Sequence, residues 1–197
     1  MVELLFQNDQ FLICIKPVGL DSEHQLPQAL QDAICGEIYP VHRLDQNVGG
    51  VMLYARTKAA AAYFSSIIQE GKIIKEYVAL VHGTPPEQGD WEDLLFKDSR
   101  RNKVFVVDRQ RNGVKKAKLT FTRIKQDPAL VQIRLYTGRS HQIRVQFASR
   151  GYPLLGDRKY GARDTYSAPM LYSFRLTFPY QEKTLEFSHL PEWAKME

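Results

Sequence analysis

Short apolar runs bounded by glycine or proline recur along this chain, and they constrain its fold more than any other feature. Phe11 to Ile15 is a continuous apolar run stopped by Pro17 and Gly19, which predicts a buried strand. Residues 50–55, 73–82, 104–107, 116–124 and 129–136 read as further strands. Two short ones, near 170–177 and 184–188, close the chain. Asn112-Gly113 predicts a tight turn between the strands at 104–107 and 116–124. Helical patterns only punctuate this series. Residues 26–35 have Pro27 near the first turn and Gly36 after the end. A second helix follows Thr57 as N-cap, with an alanine-rich body and Gly71 as terminator. A third spans 141–149 and ends at Gly151. No repeat or flexible linker interrupts the pattern. The expectation is one α+β domain over residues 1–197, with a mixed, mostly antiparallel β-sheet flanked by helices and loops.

Charge points to a polyanionic partner. The chain carries +5 overall, yet the stretch from Lys97 to Lys118 alone carries +7. Its basic residues are Lys97, Arg100, Arg101, Lys103, Arg109, Arg111, Lys115, Lys116 and Lys118, against only Asp98 and Asp108. A hairpin this basic, with no compensating acids inside it, suits a phosphate backbone. A second basic run, Arg139 to Arg163, is interleaved with Tyr152, Tyr160 and several glycines, so stacking and close backbone approach are both available. Such basic faces repel one another, so a monomer is expected.

Other classes are excluded by what is missing. Two cysteines, Cys14 and Cys35, provide neither a disulfide framework nor a cysteine-rich zinc module, and Cys14 sits in an apolar run as a buried thiol. No apolar run approaches the ~20 residues of a membrane span. No basic segment precedes an apolar one at the N-terminus, so a cytoplasmic location is expected. There is no phosphate-binding glycine loop, dinucleotide fingerprint or histidine–cysteine cluster, so no cofactor and no metal is expected.

Three polar stretches carry the candidate chemistry. His42-Arg43-Leu44-Asp45 stands just before a glycine pair and a buried strand, where Asp45 is either a nucleophile, a general base or a turn-capping acid. Lys75-Glu76-Tyr77 lies in a strand pattern that puts Tyr77 on the face of Lys75 and Ala79. Thr137 to Arg144 is the richest: Gly138 permits a sharp strand-to-helix turn, and Arg139 suits a bidentate pair with a carboxylate. His141, at the helix start, suits donation to phosphate or the orientation of a loop. With no serine or cysteine nucleophile nearby, a hydrolase triad is excluded.

In order and spacing these stretches, with Gly156-Asp157 and Tyr160-Gly161, resemble the RluA-type pseudouridine synthases. The opening, with Lys16-Pro17 and Gly19, is similar too, and the likeness runs from about residue 9 to 190. The resemblance implies the pseudouridine synthase catalytic fold and a stand-alone catalytic domain that lacks the S4-type RNA-binding domain of many members. It implies Asp45 as the essential nucleophile and Tyr77 as the tyrosine over the target base, implicated in proton removal. Arg139 is implied as the partner of Asp45, and Arg43 as a residue that helps hold RNA once the base has left the stack. Arg144 and His141 join the basic stretches as RNA contacts. The partner implied is ribosomal or transfer RNA. Two positions depart from the family pattern: Val48-Gly49-Gly50 replaces a Thr-Ser-Gly, and Gln146 replaces a histidine.

The chemistry fits this pattern. Pseudouridine formation breaks the N-glycosidic bond of uridine, rotates the uracil and rejoins it through C5. The base must first be extruded into a pocket. A buried carboxylate must also stay ionised, which desolvation opposes and a paired guanidinium favours. Two rival readings remain at this level: an RNA-binding protein or RNA chaperone without catalysis, and a glycosidase-like hydrolase using Asp45 and Asp157.

Overall fold

The computed structural model describes residues 2–34 and 36–195. In chain order the elements are β1 (Glu3–Gln7), β2 (Phe11–Lys16), α1 (Gln25–Ile34), β3 (Tyr39–Pro40), β4 (Gly49–Ala55), α2 (Lys58–Gln69), β5 (Ile74–Val81), β6 (Gln88–Asp98), β7 (Lys103–Val107), β8 (Val114–Gln126), β9 (Ala129–Leu135), α3 (Gln142–Ala148), β10 (Leu171–Tyr180) and β11 (Lys183–Ser188). The expected α+β class holds. The chain forms two compact units: Met1–Lys75 with Tyr172–Glu197, and Glu76–Leu171.

In the first unit the sheet runs β1-β2-β4-β10, with β11 on β10 and β3 on β4. All these pairs are antiparallel except β4 with β10, which is parallel. Strand β2 is apolar from Phe11 to Ile15 because both its faces are covered. Phe11 and Ile13 join Val51, Leu53, Phe64 and Phe178 in one core. Phe11, Phe64 and Phe178 meet edge to face at 5.4–5.8 Å. That geometry suits the ring quadrupoles, and each fully buried ring contributes about 2–3 kcal/mol. Leu12, Cys14, Met52 and Tyr54 are equally buried, so the buried-thiol reading of Cys14 is right, and burial pushes that thiol up to about 12. Cys35 lies outside the described residues. Helix α2 begins where Thr57 accepts the Ala60 N–H at 3.1 Å, as expected of the cap.

In the second unit the strand order is β5-β9-β8-β6-β7. Strand β8 pairs antiparallel with β9 on one side and β6 on the other. Helix α3 buries Phe147 against Trp91 and Phe121, at 4.7 and 5.1 Å between rings.

Three strands escape the sequence reading, β1, β3 and β6, and β6 changes the topology. The expected hairpin across Asn112-Gly113 does not form: β6 lies between β7 and β8 and pairs with both. Strand β6 hides because four acids alternate with its apolar residues, a composition unlike that of an ordinary strand. Two of those acids face the lysines of β8. Glu92 lies 3.8 Å from Lys116, and Asp90 lies 3.3 Å from Lys118. The basic stretch is therefore partly compensated across the sheet, from residues outside it in sequence.

Candidate active site

Asp45 lies in the first unit, in the loop between β3 and β4, and hydrogen bonds to the loop backbone hold it. The Ser22 hydroxyl accepts the Leu44 N–H at 3.2 Å and donates to the Leu44 carbonyl at 3.0 Å. The Val48 N–H closes a turn on the Asp45 carbonyl at 2.9 Å. Gly19 and Gln46 exchange two bonds of 2.9 Å, tying the loop to the end of β2. Asp45 itself is partly buried.

Lys16 is a feature the sequence reading passed over as part of a family signature. It ends β2 with 0% exposure. Its Nζ donates to the carbonyls of Gln46 at 3.0 Å and Pro17 at 2.9 Å. Burial brings its pKa down to about 8, against the opposing pull of the Asp21 and Asp45 carboxylates. A buried ammonium thus sits under the Asp45 loop, bonded to the Gln46 carbonyl. A lysine closing an otherwise apolar strand was the available signal.

His42 serves as scaffold. Its Nε2 accepts the Leu53 N–H at 3.1 Å, and burial with the nearby Lys75 ammonium lowers its pKa to about 3. It stays neutral across the physiological range and exchanges no proton there. Arg43 is exposed and pairs with Glu23 at 2.8 Å. Within Val48-Gly49-Gly50 the last position keeps the glycine of the family pattern, and it has a steric reason to. Gly50 has φ +130°, and a Cβ there would lie 2.2 Å from the Ser173 carbonyl oxygen across the parallel β4–β10 contact.

Tyr77 and Arg139 belong to the second unit. Tyr77 lies in β5 with 6% exposure. The loop after β9 is stapled by Gln142. Its Oε1 accepts from the Thr137 hydroxyl at 2.8 Å and the Arg139 N–H at 3.1 Å, while its Nε2 donates to the Lys118 carbonyl at 3.1 Å. Arg139 is exposed, with Nε donating to the Lys116 carbonyl at 2.9 Å. The buried guanidinium of this stretch is that of Arg144, which reaches Asp157 through Nε at 2.7 Å and Nη2 at 2.8 Å. Asp157 is 1% exposed and both its oxygens are taken. That removes it as the second acid of a glycosidase.

The other departure, Gln146, is fully buried in a structural network. Its Nε2 donates to Asp93 at 2.7 Å, and Arg150 binds the same carboxylate at 2.8 and 3.0 Å while stacking over Trp91. The Gln146 Oε1 has no partner among the described residues.

The remaining RNA-contact candidates fall in two groups. Lys97, Arg100, Arg101 and Lys103 surround the turn between β6 and β7, where Asp98 accepts the Arg100 and Arg101 N–H groups at 3.0 and 3.2 Å. Arg109, Arg111, Lys115 and Lys116 lie in the next loop and the start of β8, all exposed, with Arg111 over the Phe96 ring at 4.8 Å. Among the described residues no helix is long and apolar enough to cross a membrane.

Comparison with known proteins sets this geometry in context. Residues 10–149 match the family described as RNA pseudouridylate synthase. The dual-specificity RNA pseudouridine synthase RluA of Salmonella typhimurium is 34% identical over 85% of this chain and 81% of its own. The ribosomal large subunit pseudouridine synthase D of Zymomonas mobilis is 29% identical over 96% of this chain and 64% of its own. The matched segments of two further relatives span 43% and 40% of their lengths. A solved structure, human RNA pseudouridylate synthase domain containing 1, superposes with a TM-score of 0.86 over 97% of this chain and 84% of its own, at 23% identity. It shares the fold. The matched segment contains Asp45, Tyr77, Arg139 and Arg144, and on that match the chain belongs to the RNA pseudouridylate synthase family.

Proposed function

We propose that this chain is an RNA pseudouridine synthase, an isomerase that converts uridines of structured ribosomal or transfer RNA to pseudouridine. The observation that carries this reading is Asp45 on a loop whose backbone is fixed by the Ser22 hydroxyl and by the buried Lys16 ammonium, inside the segment that matches the family. In this reading the uridine is extruded from its stack, and Asp45 is the nucleophile that assists rupture of the bond between C1′ and N1. The uracil rotates and C5 bonds to C1′. The C5 proton is then lost by relay through the Tyr77 hydroxyl, and N1, freed from C1′, takes up a proton, so the two transfers balance. The reaction is an isomerisation, so no atom is gained or lost.

Arg139 is assigned as the partner of Asp45, as the resemblance implies. Its head is exposed and tied by one hydrogen bond, so releasing it from the Lys116 carbonyl costs only about 1 kcal/mol. The β6–β7 turn and the loop after β7 supply the cations that position the phosphate backbone.

The test is a pseudouridine map by carbodiimide labelling and primer extension across total RNA. A deletion strain is compared with the same strain carrying wild type or Asp45→Asn. The expected result is one or more signals lost on deletion, restored by wild type and not by Asp45→Asn. Purified Asp45→Asn is expected to keep its fold and most of its RNA binding. Full restoration by Asp45→Asn overturns the assignment of Asp45. Equal RNA binding by both proteins, with product from neither on purified transcripts, favours the RNA-chaperone reading instead. Arg139→Ala is expected to lower turnover at least about tenfold. Unchanged turnover moves that role elsewhere in the 139–144 stretch.

A further inference from the structure

The sheet of the second unit has two faces of different character. Helix α3 packs on one, through the Trp91, Phe121 and Phe147 rings. Strand alternation turns the intervening residues to the other face, and these are polar. Two rungs cross it from β6 through β8 to β9: Gln88, Thr122 and Gln132, then Asp90, Thr120 and Arg134. All six line a groove of about 630 Å³, a size that holds a small ligand. The Gln132 amide is oriented by Glu76, whose Oε1 accepts its Nε2–H at 3.1 Å. Next along β9 on this face, Tyr136 carries two cations: the Arg134 guanidinium lies 5.1 Å and Lys118 Nζ 5.7 Å from its ring centroid. Tyr136 is 49% exposed, and Arg134 is exposed beside it.

This lining suits a planar ligand with hydrogen-bonding edges. The amides and hydroxyls of Gln88, Thr120, Thr122 and Gln132 offer donors and acceptors without charge, as the edge of a base requires. A guanidinium backed by an aromatic ring is a flat cation, and flat cations stack on bases. Among the described residues Arg134 makes no ion pair, so stacking on it breaks none. Glu76 and Asp90 offset Arg134 and Lys118, so the floor of the groove does not collect phosphates, while the strongly basic unit around it draws the strand in. A protein partner would want apolar anchors at the centre, and Ile124 is the one large apolar side chain that the lining exposes. The groove also adjoins the Arg139 loop. The Tyr136 N–H bonds to the Lys118 carbonyl at 3.1 Å, and Arg139 Nε bonds to that of Lys116 at 2.9 Å, so both are anchored along the same stretch of β8.

We propose that this groove is a binding site for one unpaired nucleotide of the RNA, its base stacked on Arg134 against Tyr136 and its edge held by the amide and hydroxyl rungs. The cations of the β6–β7 turn hold phosphates of any strand, paired or not. The groove adds a contact that only an unstacked base can make, and so favours RNA with a single-stranded stretch beside the part that the Arg139 loop holds. This inference rests on the RNA reading of the chain.

The test compares two probes on the full-length chain at one salt concentration: a short fluorescein-labelled oligouridylate and an RNA duplex of the same length. Arg134→Gln and Tyr136→Ala are each expected to weaken oligouridylate binding roughly five- to fiftyfold and duplex binding less than about twofold. Arg134→Lys keeps the charge and loses the plane, so it is expected to behave like Arg134→Gln. Full oligouridylate binding by Arg134→Lys, or equal losses on both probes, identifies a phosphate contact and overturns the proposal. Photocrosslinking with an oligonucleotide of 4-thiouridine locates the base, and crosslinks are expected on β9 or Tyr136. Crosslinks confined to the β6–β7 turn overturn the proposal. Unchanged binding by every variant overturns it as well and leaves the face to a protein partner. A wild-type chain that binds neither probe overturns the RNA reading itself, whereas wild-type binding with unaffected variants overturns the groove alone. None of these measurements needs turnover, so a wild type that binds RNA but forms no pseudouridine overturns the catalytic reading and leaves the groove to be decided by binding.

Discussion

At the residue scale, the chemistry of this chain depends on which charges are buried and what holds them. Lys16 is the clearest case. Its pKa is about 8 in the folded chain against 10.5 in the unfolded one. A lysine depressed on folding costs stability wherever both states would be protonated, which is below about pH 8. As pH rises from 8 to 10.5 the unfolded chain holds more protons than the folded one, so the cost is progressively relieved. The full span corresponds to about 3 kcal/mol. Lys16→Met is expected to be more stable than wild type at neutral pH, and to lose the rise in stability that Lys16 gives between pH 8 and 10.5. Thermal unfolding of both proteins across that interval measures it, and parallel curves would refute it. The same substitution removes the cation under the Asp45 loop, so stability should rise while turnover falls. That opposition would mark Lys16 as retained for the site rather than for the fold. Asp45 was legible in the sequence through its motif and its place before a glycine pair. Lys16 was not, because a charge at the end of a strand reads as solvated until the loop that covers it is known.

At the element scale, strands with uniform apolar composition declared themselves and mixed ones did not. Strands β2 and β4 are buried on both faces, so apart from Lys16 at the end of β2 they carry no charge, and their positions were predicted within a residue or so. Strand β6 was invisible because its outward residues are acids that answer the lysines of β8, a pairing that exists only once the register is set. Missing it turned two strands that flank β6 into a hairpin that does not exist. Helix α3 was found, but its stapling by Gln142 was not, since a glutamine beside a histidine gives no periodic signal. The parallel contact between β4 and β10 is also unreadable locally, because it joins residues more than a hundred positions apart. Gly50 is its price in sequence. Gly50→Ala places a methyl group 2.2 Å from a backbone carbonyl at a φ that side chains rarely adopt. The expected loss is at least about 3 kcal/mol, read as a lower midpoint in urea with an unchanged slope. A loss below about 1 kcal/mol would mean that β4 and β10 separate at little cost.

At the scale of the whole molecule, the +5 charge conceals an asymmetry between the two units. Within Glu76–Leu171 there are 18 basic and 10 acidic residues, a net +8. The rest of the chain has 9 basic and 12 acidic residues, a net −3. Asp45 therefore comes from the acidic unit, while Tyr77, Arg139 and nearly all the RNA-contact candidates come from the basic one. Phosphate contacts release condensed counterions, so the dependence of binding on salt counts them, at roughly 0.7 to 0.9 in the log–log slope per contact. Matched triple substitutions in the full-length chain turn this into a measurement. Neutralising Lys97, Arg100 and Arg109 to Gln should weaken RNA binding and flatten the salt slope by about 2 to 3. Neutralising the exposed Lys58, Lys72 and Lys183 of the acidic unit should leave the slope unchanged, although the net charge of the protein falls by the same amount. Filter binding at a series of salt concentrations separates the two. Equal flattening by both triples would show that RNA responds to net charge alone, and the basic unit would then lose its standing as the surface that receives the nucleic acid.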